Sequence, residues 1–278
     1  MRLPSLFIFA LLCAATVHDA GAQYLRDMSA GGAMSVAPAR PGQLPPDVLN
    51  PEPSQWWLGP QIGINLNSHP GTFHPYCEEC SFSNGSGAGV LLGLQLEYVA
   101  SSALHLTAKL LYDNKTADYT ALTPQRLSDV KVIETGEYVQ ERVNYERTSS
   151  VVLSYMMLHL VAQVYPFGGF YLFAGPAVGI PLDATYNVRE KIMDPGYVYP
   201  RTELTEEDIE PVTNLDRITT LESPRLDLRA GIGYDLNIGR GVMLSPEVSY
   251  GLPLNDIAAF AGWKAETIHL VAVLKIAL

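Results

Sequence analysis

The chain has 278 residues, a formal net charge of −11, and a hydrophobic content of 47% with a mean hydropathy of +0.09. The negative charge argues against nucleic acid as a partner, because binding to phosphates needs basic patches. Beyond the N-terminal segment, no window offers the roughly 18 continuous apolar residues that a membrane helix needs. The apolar residues must therefore belong to other elements.

The first residues have the features of an export signal. Arg2 gives a weakly basic start, Leu6 to Ala15 form a short apolar run, and Ala20-Gly21-Ala22 matches an A-x-A cleavage site. We therefore expect residues 1–22 to be a signal peptide that directs Sec export.

A segment rich in proline and glycine follows at residues 23–55, with prolines clustered between Pro41 and Pro53. Such a composition cannot build a packed core, so we expect an extended or disordered periplasmic tail. Folded structure should begin at Trp56.

From Trp56 onwards, apolar and polar residues alternate at every second position. Successive side chains of a strand point to opposite faces, so each stretch has one apolar and one polar face. The last stretch, which ends at Leu278, places leucines and isoleucines at even positions and seats Lys275 between two of them. The pattern predicts strands near residues 56–67, 88–100, 103–115, 149–165, 169–182, 224–237, 242–252 and 265–278.

The connections between these strands alternate in length. Short turns at 100–102, 166–168 and 238–241 alternate with long segments at 68–87, 116–148, 183–223 and 253–264. This alternation is typical of a barrel with short periplasmic turns and long outer loops. An open sheet edge is not tolerated in hydrocarbon, so the last strand must pair with the first. We predict an all-β fold, an eight-stranded antiparallel up-and-down transmembrane β-barrel over residues 56–278, in the outer membrane of a Gram-negative-type cell.

The polar face of the predicted strands carries three acids and three bases. The interior of a barrel with about eight strands is just wide enough to be filled by side chains, and charges buried there must be paired. We expect a network of salt bridges that fills the lumen, and a narrow polar path is the alternative. The predicted members are Glu97, Lys109, Asp227, Arg229, Glu247 and Lys275.

Two cysteines in the first long segment allow three interpretations. Cys77 and Cys80 would close a small disulfide in an oxidising compartment, which is the favoured interpretation. Together with His69 and His74 they could instead hold tetrahedral zinc. A C-x-x-C pair can also be redox-active, although the flanking residues do not suggest a helix start. The third cysteine, Cys13, would anchor a lipoprotein only if the signal peptide ended there.

An acidic cluster lies in the third long segment, and it indicates either a solvated loop or a calcium site. The spacing of an EF-hand is absent, so the solvated loop is favoured. The cluster consists of Glu203, Glu206, Glu207, Asp208 and Glu210.

Candidates for catalysis are few. His159 and His269 are histidines of the inward face, with Ser245 and Ser249 as possible nucleophiles. No G-x-S-x-G or H-E-x-x-H motif is present. We predict that the chain is not an enzyme, with no catalytic residue and no cofactor.

Several short motifs resemble those of the outer-membrane protein β-barrel family, the group that includes OmpA-, OmpX- and PorT-like barrels. They are Gly59 to Asn65, the alternating glycines from Gly85 to Gly89, Phe173 to Ala177, and Arg229 to Tyr234. The resemblance implies an eight-stranded barrel inserted by the barrel-assembly machinery. Chains of this family often end in Phe, whereas this one ends in Leu278.

The function expected from the resemblance and the pattern is not catalytic. We expect an integral outer-membrane barrel with a structural role, or one that contacts an unknown extracellular or envelope partner through its long outer loops. The alternatives are a small pore or ligand-binding barrel, and a secretion-accessory barrel of the PorT type.

Overall fold

The computed structural model describes residues 55–74, 81–200, 209–258 and 262–278. The predicted signal peptide, nearly all of the predicted tail, and the pair Cys77 and Cys80 lie outside these residues. In the described part of the chain, no helix is long and apolar enough to cross a membrane.

Twelve strands form within the described residues, and their pairings are antiparallel. The prediction of an all-β chain with up-and-down antiparallel strands is therefore confirmed. The strands are β1 Trp56–Phe73, β2 Phe82–Val99, β3 Leu104–Asn114, β4 Ala117–Val132, β5 Tyr138–Phe167, β6 Phe170–Ile192, β7 Tyr197–Val198, β8 Ile209–Arg217, β9 Arg225–Tyr234, β10 Leu236–Gly239, β11 Val242–Pro253 and β12 Glu266–Ala277.

A continuous path of hydrogen-bonded pairs runs through β1, β2, β3, β5, β6, β9, β11 and β12. The path returns to its start because β12 also pairs with β1, for example at Leu270 and Ile64. Each strand on the path thus has two hydrogen-bonded neighbours, and we call this set of strands the ring.

The short connections between β2 and β3, β5 and β6, and β10 and β11 define one end of the ring. The chain terminus lies at this end as well, where the Leu278 N–H donates to the Trp56 carbonyl at 3.0 Å. We call it the short-turn end, and the opposite end the hairpin end.

The prediction of long loops at the hairpin end is wrong in one respect, because much of the length of these segments forms strands. The segment 116–148 contains β4 and the first part of β5, which pair from Ala117 and Val151 out to Lys131 and Tyr138. The segment 183–223 contains the last part of β6 together with β7 and β8. The outward residues of β5 and β6 here are polar, for example Glu146, Thr148 and Arg189, so these parts lack the apolar alternation that marked the other strands. On β4, Leu122 and Leu127 are exposed.

The strands β4, β7 and β8 and the parts of β5 and β6 that extend beyond the ring form a sheet in the order β7, β4, β5, β6 and β8, which we call the hairpin sheet. It has an apolar cluster of its own, built from Val130, Val143, Tyr145, Ile192 and Tyr199.

Side chains of the ring alternate between an exposed apolar face and a buried face. On β12, Ile268, Leu270 and Ile276 are exposed, while His269 and Lys275 are fully buried. The predicted apolar face of this strand is therefore the exposed one. The buried face, which also carries Val271 and Val273, points into the ring.

Candidate functional site

All six residues of the predicted lumen network are buried, and the most exposed of them, Glu247, is 4% accessible. They lie on β2, β3, β9, β11 and β12. On each strand they take positions that face the inside of the ring, as the period of two along a strand requires. The structure pairs four of them with each other and two of them with residues outside the predicted set.

Lys109 and Glu247 form a direct pair across the interior. The Lys109 ammonium donates to Glu247 Oε1 at 2.7 Å, and the Tyr171 hydroxyl donates to the same oxygen at 3.0 Å. The ammonium also lies 4.9 Å from the ring centroid of Phe173. Both charges are thus neutralised and hydrogen-bonded within the interior.

Lys275 connects two carboxylates near the short-turn end. Its ammonium lies 2.9 Å from Glu97 Oε2 and 2.9 Å from Asp235 Oδ1. The other oxygen of Glu97 lies 2.7 Å from His105 Nδ1, and the Tyr165 hydroxyl donates to Asp235 at 2.8 Å. Asp235 lies on the same phase of the alternation as Asp227 and Arg229, but the predicted network did not include it.

Asp227 and Arg229 each pair with a residue that the prediction did not include. Arg225 lies 3.0 Å from Asp227 and donates to the Ala265 carbonyl at 2.6 Å. Arg229 donates to Asp113 Oδ2 at 3.0 Å. Arg225, Asp227 and Arg229 share one face of β9, so extending the inward phase by one step would have found Arg225.

Asp113 has four polar partners in the interior. Besides Arg229, it contacts Lys115 at 3.1 Å, accepts a hydrogen bond from Asn65 Nδ2 at 2.6 Å, and lies 3.4 Å from His269 Nε2. Burial of an unpaired carboxylate would be very costly, and this set of donors offsets that cost.

Among the described residues, the ion pairs buried inside the ring balance in charge. The acids are Glu97, Asp113, Asp227, Asp235 and Glu247, and the bases are Lys109, Lys115, Arg225, Arg229 and Lys275. With neutral histidines, five negative charges meet five positive ones. An interior with no net charge does not attract ions of either sign. We call these ten residues the ion-pair network.

An aromatic cluster follows the ion-pair network toward the hairpin end. Trp263 Nε1 donates to the Tyr119 hydroxyl at 2.8 Å, and the Trp263 ring stacks on Phe73 with centroids 4.6 Å apart. Phe82 and Tyr186 complete the cluster. The sequence pattern missed this aromatic cap because its members lie on β1, β2, β4, β6 and a connecting segment, far apart in the chain.

The aromatic cap depends on a glycine in β2. A Cβ atom built at Gly85 would lie 2.4 Å from the Tyr119 ring, which is shorter than any normal contact. The missing side chain at Gly85 therefore makes room for Tyr119 above the interior.

His69, one of the four candidate zinc ligands, lies against this cap. Its Nδ1 is 2.8 Å from the Tyr119 hydroxyl. Burial, together with the charges of Arg225 and Lys115, lowers the pKa of His69 to about 3. The imidazole of His69 is therefore neutral at physiological pH. His74 is exposed.

The disulfide and the zinc site both require Cys77 and Cys80, which lie outside the described residues, and both stay predictions. The acidic cluster from Glu203 to Asp208 also lies outside them. Glu210 falls within β8.

Two of the candidate catalytic groups contact residues outside the candidate set, and Ser249 lies opposite His269 in the register of β11 and β12. Arg229 Nη2 lies 2.8 Å from His269 Nε2, and Ser245 donates to Asp235 at 2.5 Å. In the ranges that the structure describes, neither His159 nor His269 is hydrogen-bonded to Ser245 or Ser249. The expectation of a chain without enzymatic activity stays a prediction.

No family model matches the chain. No curated protein matches it either. Among solved structures the chain is similar to Neisserial surface protein A, with 9% identity, 81% of this chain and 98% of that chain covered, and a TM-score of 0.32.

Two further solved structures are similar at the same level. The attachment invasion locus protein Ail of Yersinia pestis has 9% identity, covers 80% of this chain and 99% of its own, and gives a TM-score of 0.32. The outer membrane protein OprG of Pseudomonas aeruginosa has 12% identity, covers 81% and 94%, and gives a TM-score of 0.31. Likenesses this distant carry no argument about the role of this chain.

Proposed function

We propose that the chain is an integral outer-membrane barrel whose wall is the eight-stranded ring, with a structural or surface-interaction role. The observation that carries this proposal is a change of chemistry on the outward face of β5. The outward residues are polar from Asn144 to Ser150, and they become Met156, Leu158 and Leu160 toward the short-turn end.

The exposed apolar residues continue around the whole ring. Every strand of the ring carries at least one such residue, so the apolar surface forms a belt rather than a patch. A belt of this kind is far larger than soluble proteins expose, and it suits a lipid environment. Examples from the eight strands are Ile62, Leu94, Leu110, Leu158, Val178, Leu226, Val248 and Leu270.

The height of the belt suits one bilayer. On β1 it runs from Leu58 to Leu66, and the paired residues of β2 run from Leu96 to Ala88. A tilted strand of about 9–11 residues crosses the hydrocarbon core of a membrane. The hairpin sheet would then project beyond the membrane surface.

The contacts inside the ring support a closed interior rather than an open channel. The ion-pair network is neutral and buried, and the aromatic cap covers its hairpin end. The role that this arrangement favours is a structural one, with the hairpin sheet available for contact with an envelope or extracellular partner. Lipid, the barrel-assembly machinery and that unidentified partner are the partners we propose, after export directed by residues 1–22.

Heat modifiability tests the proposal. The purified full chain, unboiled in SDS, should migrate differently from the boiled chain, and cell fractionation should recover it with the outer membrane. A chain that migrates identically in both states and is recovered in the aqueous fraction would contradict the proposal. Steady open channels in planar bilayers would contradict the closed interior but not the outer-membrane barrel.

A further inference from the structure

A pocket lies on the hairpin sheet, outside the ring, and it shares no residue with the ion-pair network or the aromatic cap. Its volume is about 420 Å³, within the range of roughly 300–1,000 Å³ that is usual for small-ligand sites. The residues that line it are Arg126, Leu127, Ser128, Asp129, Gln140, Tyr145, Tyr199 and Pro200.

A buried carboxylate organises one wall of the pocket. Glu190 Oε2 accepts a hydrogen bond from Arg147 Nε at 2.6 Å. Glu190 Oε1 accepts from Arg126 Nη2 at 3.1 Å and from the Tyr199 hydroxyl at 3.2 Å. One negative charge thus faces two guanidinium groups, and the group of three carries a net positive charge.

Arg126 is the member that faces the pocket. Its side chain is 50% exposed, whereas that of Arg147 is 7% exposed. The guanidinium lies 4.6 Å from the ring centroid of Tyr145, so the ring below and the carboxylate beside it fix its orientation. Burial lowers the pKa of Arg126, but the charge of Glu190 outweighs this effect and the pKa is raised, so the group stays charged.

A guanidinium held in place before binding is well suited to a carboxylate, because it offers charged donors at little further cost in side-chain entropy. The remaining polar groups have a different chemistry. Hydroxyl groups of a ligand can form hydrogen bonds with the side-chain oxygens of Asp129 and Ser128 and with the amide of Gln140. The carboxylate of Asp129 would repel a second negative charge.

We propose that this pocket binds a saccharide that carries a carboxylate, with the carboxylate at Arg126 and the sugar hydroxyls toward Asp129 and Gln140. A peptide C-terminus would offer the same carboxylate but no row of hydroxyls for the other wall. The proposal rests on the proposed function, since that function places the hairpin sheet outside the cell.

The test uses the full chain in detergent micelles and two probes that differ in charge alone. One is the hyaluronan disaccharide, which carries a single glucuronate, and the other is the same disaccharide with that carboxylate reduced to an alcohol. Titration calorimetry should show binding of the first at least about tenfold tighter than binding of the second, as loss of a charge-assisted contact requires.

Two variants assign the effect to the pocket. Arg126→Gln should weaken binding of the acidic probe by at least about tenfold. Arg142→Gln is the matched control, because Arg142 is exposed on the adjacent strand and does not line the pocket. It should bind the acidic probe as the unaltered chain does.

Equal binding of the two disaccharides, unchanged binding in Arg126→Gln, or tighter binding of an N-acetylated tripeptide with a free C-terminus would overturn the proposal. Each preparation is also run unboiled and boiled in SDS. A normal shift without saccharide binding refutes the pocket and leaves the barrel intact, whereas a lost shift in the unaltered chain refutes the barrel itself.

Discussion

Lys109 and Glu247 show how single residues maintain the interior. Each charge is buried, and each is neutralised chiefly by the other. A buried ion pair is weak support for stability as a whole, but the removal of one partner leaves an uncompensated charge. The consequence can be measured one residue at a time.

We expect Lys109→Met to lower the free energy of unfolding by about 3–5 kcal/mol, because Glu247 would remain buried without its cation. The double variant Lys109→Met with Glu247→Leu should recover most of this loss. Urea unfolding in micelles measures both. Arg142→Gln, an exposed substitution, should stay within about 0.5 kcal/mol of the unaltered chain. A Lys109→Met variant as stable as the unaltered chain would disprove the pairing.

His69 gives a prediction for pH. Its pKa in the folded chain is about 3, against an ordinary value of 6.5. The unfolded chain therefore binds this proton first as the pH falls, and the folded state loses stability between pH 6.5 and pH 3. The stabilising contribution is complete above this window.

We expect the unaltered chain to lose up to about 1.4 kcal/mol per pH unit within that window, relative to His69→Asn, which cannot titrate there. Urea unfolding at several pH values between 7.5 and 4.5 gives the difference. Other groups titrate in both chains and cancel. A stability difference that does not change with pH would show that His69 is not buried as a neutral ring.

At the scale of elements, β2 links the ring to the aromatic cap through Gly85. The Tyr119 ring occupies the space that any side chain at this position would need. The strand itself can tolerate another residue, so the effect of a substitution should be local to the cap.

We expect Gly85→Leu to displace Tyr119 and to destabilise the chain by about 1–3 kcal/mol, as overpacking usually does. The hydrogen bond from Trp263 to Tyr119 should be lost, which would change the tryptophan fluorescence. Gly239→Ala is the control, since a Cβ there meets no atom within 4 Å. Unchanged fluorescence and stability in Gly85→Leu would contradict the described cap.

The strands of the ring could be predicted from sequence because lipid-like alternation leaves a strong signal. Leu104, Leu106 and Leu110 are exposed in β3, and Lys109 between them is buried, as the period of two requires. The hairpin sheet could not be predicted in this way. Its outward residues, such as Glu146 and Thr148, are polar, and inward residues such as Arg147 are polar as well.

The partners within the interior were less predictable than their positions. Alternation assigns Asp227 to the inward face, but it does not show which strand across the ring supplies its partner. The aromatic cap needs contacts between residues as distant in the chain as Tyr119 and Trp263. Both depend on how the strands are arranged in three dimensions.

At the scale of the whole molecule, the central claim is a ring that presents apolar side chains to lipid on every side. The ring of pairings leaves no open edge between β1 and β12, and the neutral interior needs no exchange with water. If one part of the ring faced water instead, the exposure of its leucines would be unfavourable and unexplained.

The most direct measurement is spin-label accessibility at one outward position on each strand of the ring, in lipid vesicles and with Cys77 and Cys80 replaced by serine. The account predicts that all eight labels are relaxed by oxygen, which partitions into lipid, and are protected from a water-soluble nickel chelate. High access of the chelate to the labels on any strand would contradict a closed barrel in the membrane. The positions are Ile62, Leu94, Leu110, Leu158, Val178, Leu226, Val248 and Leu270.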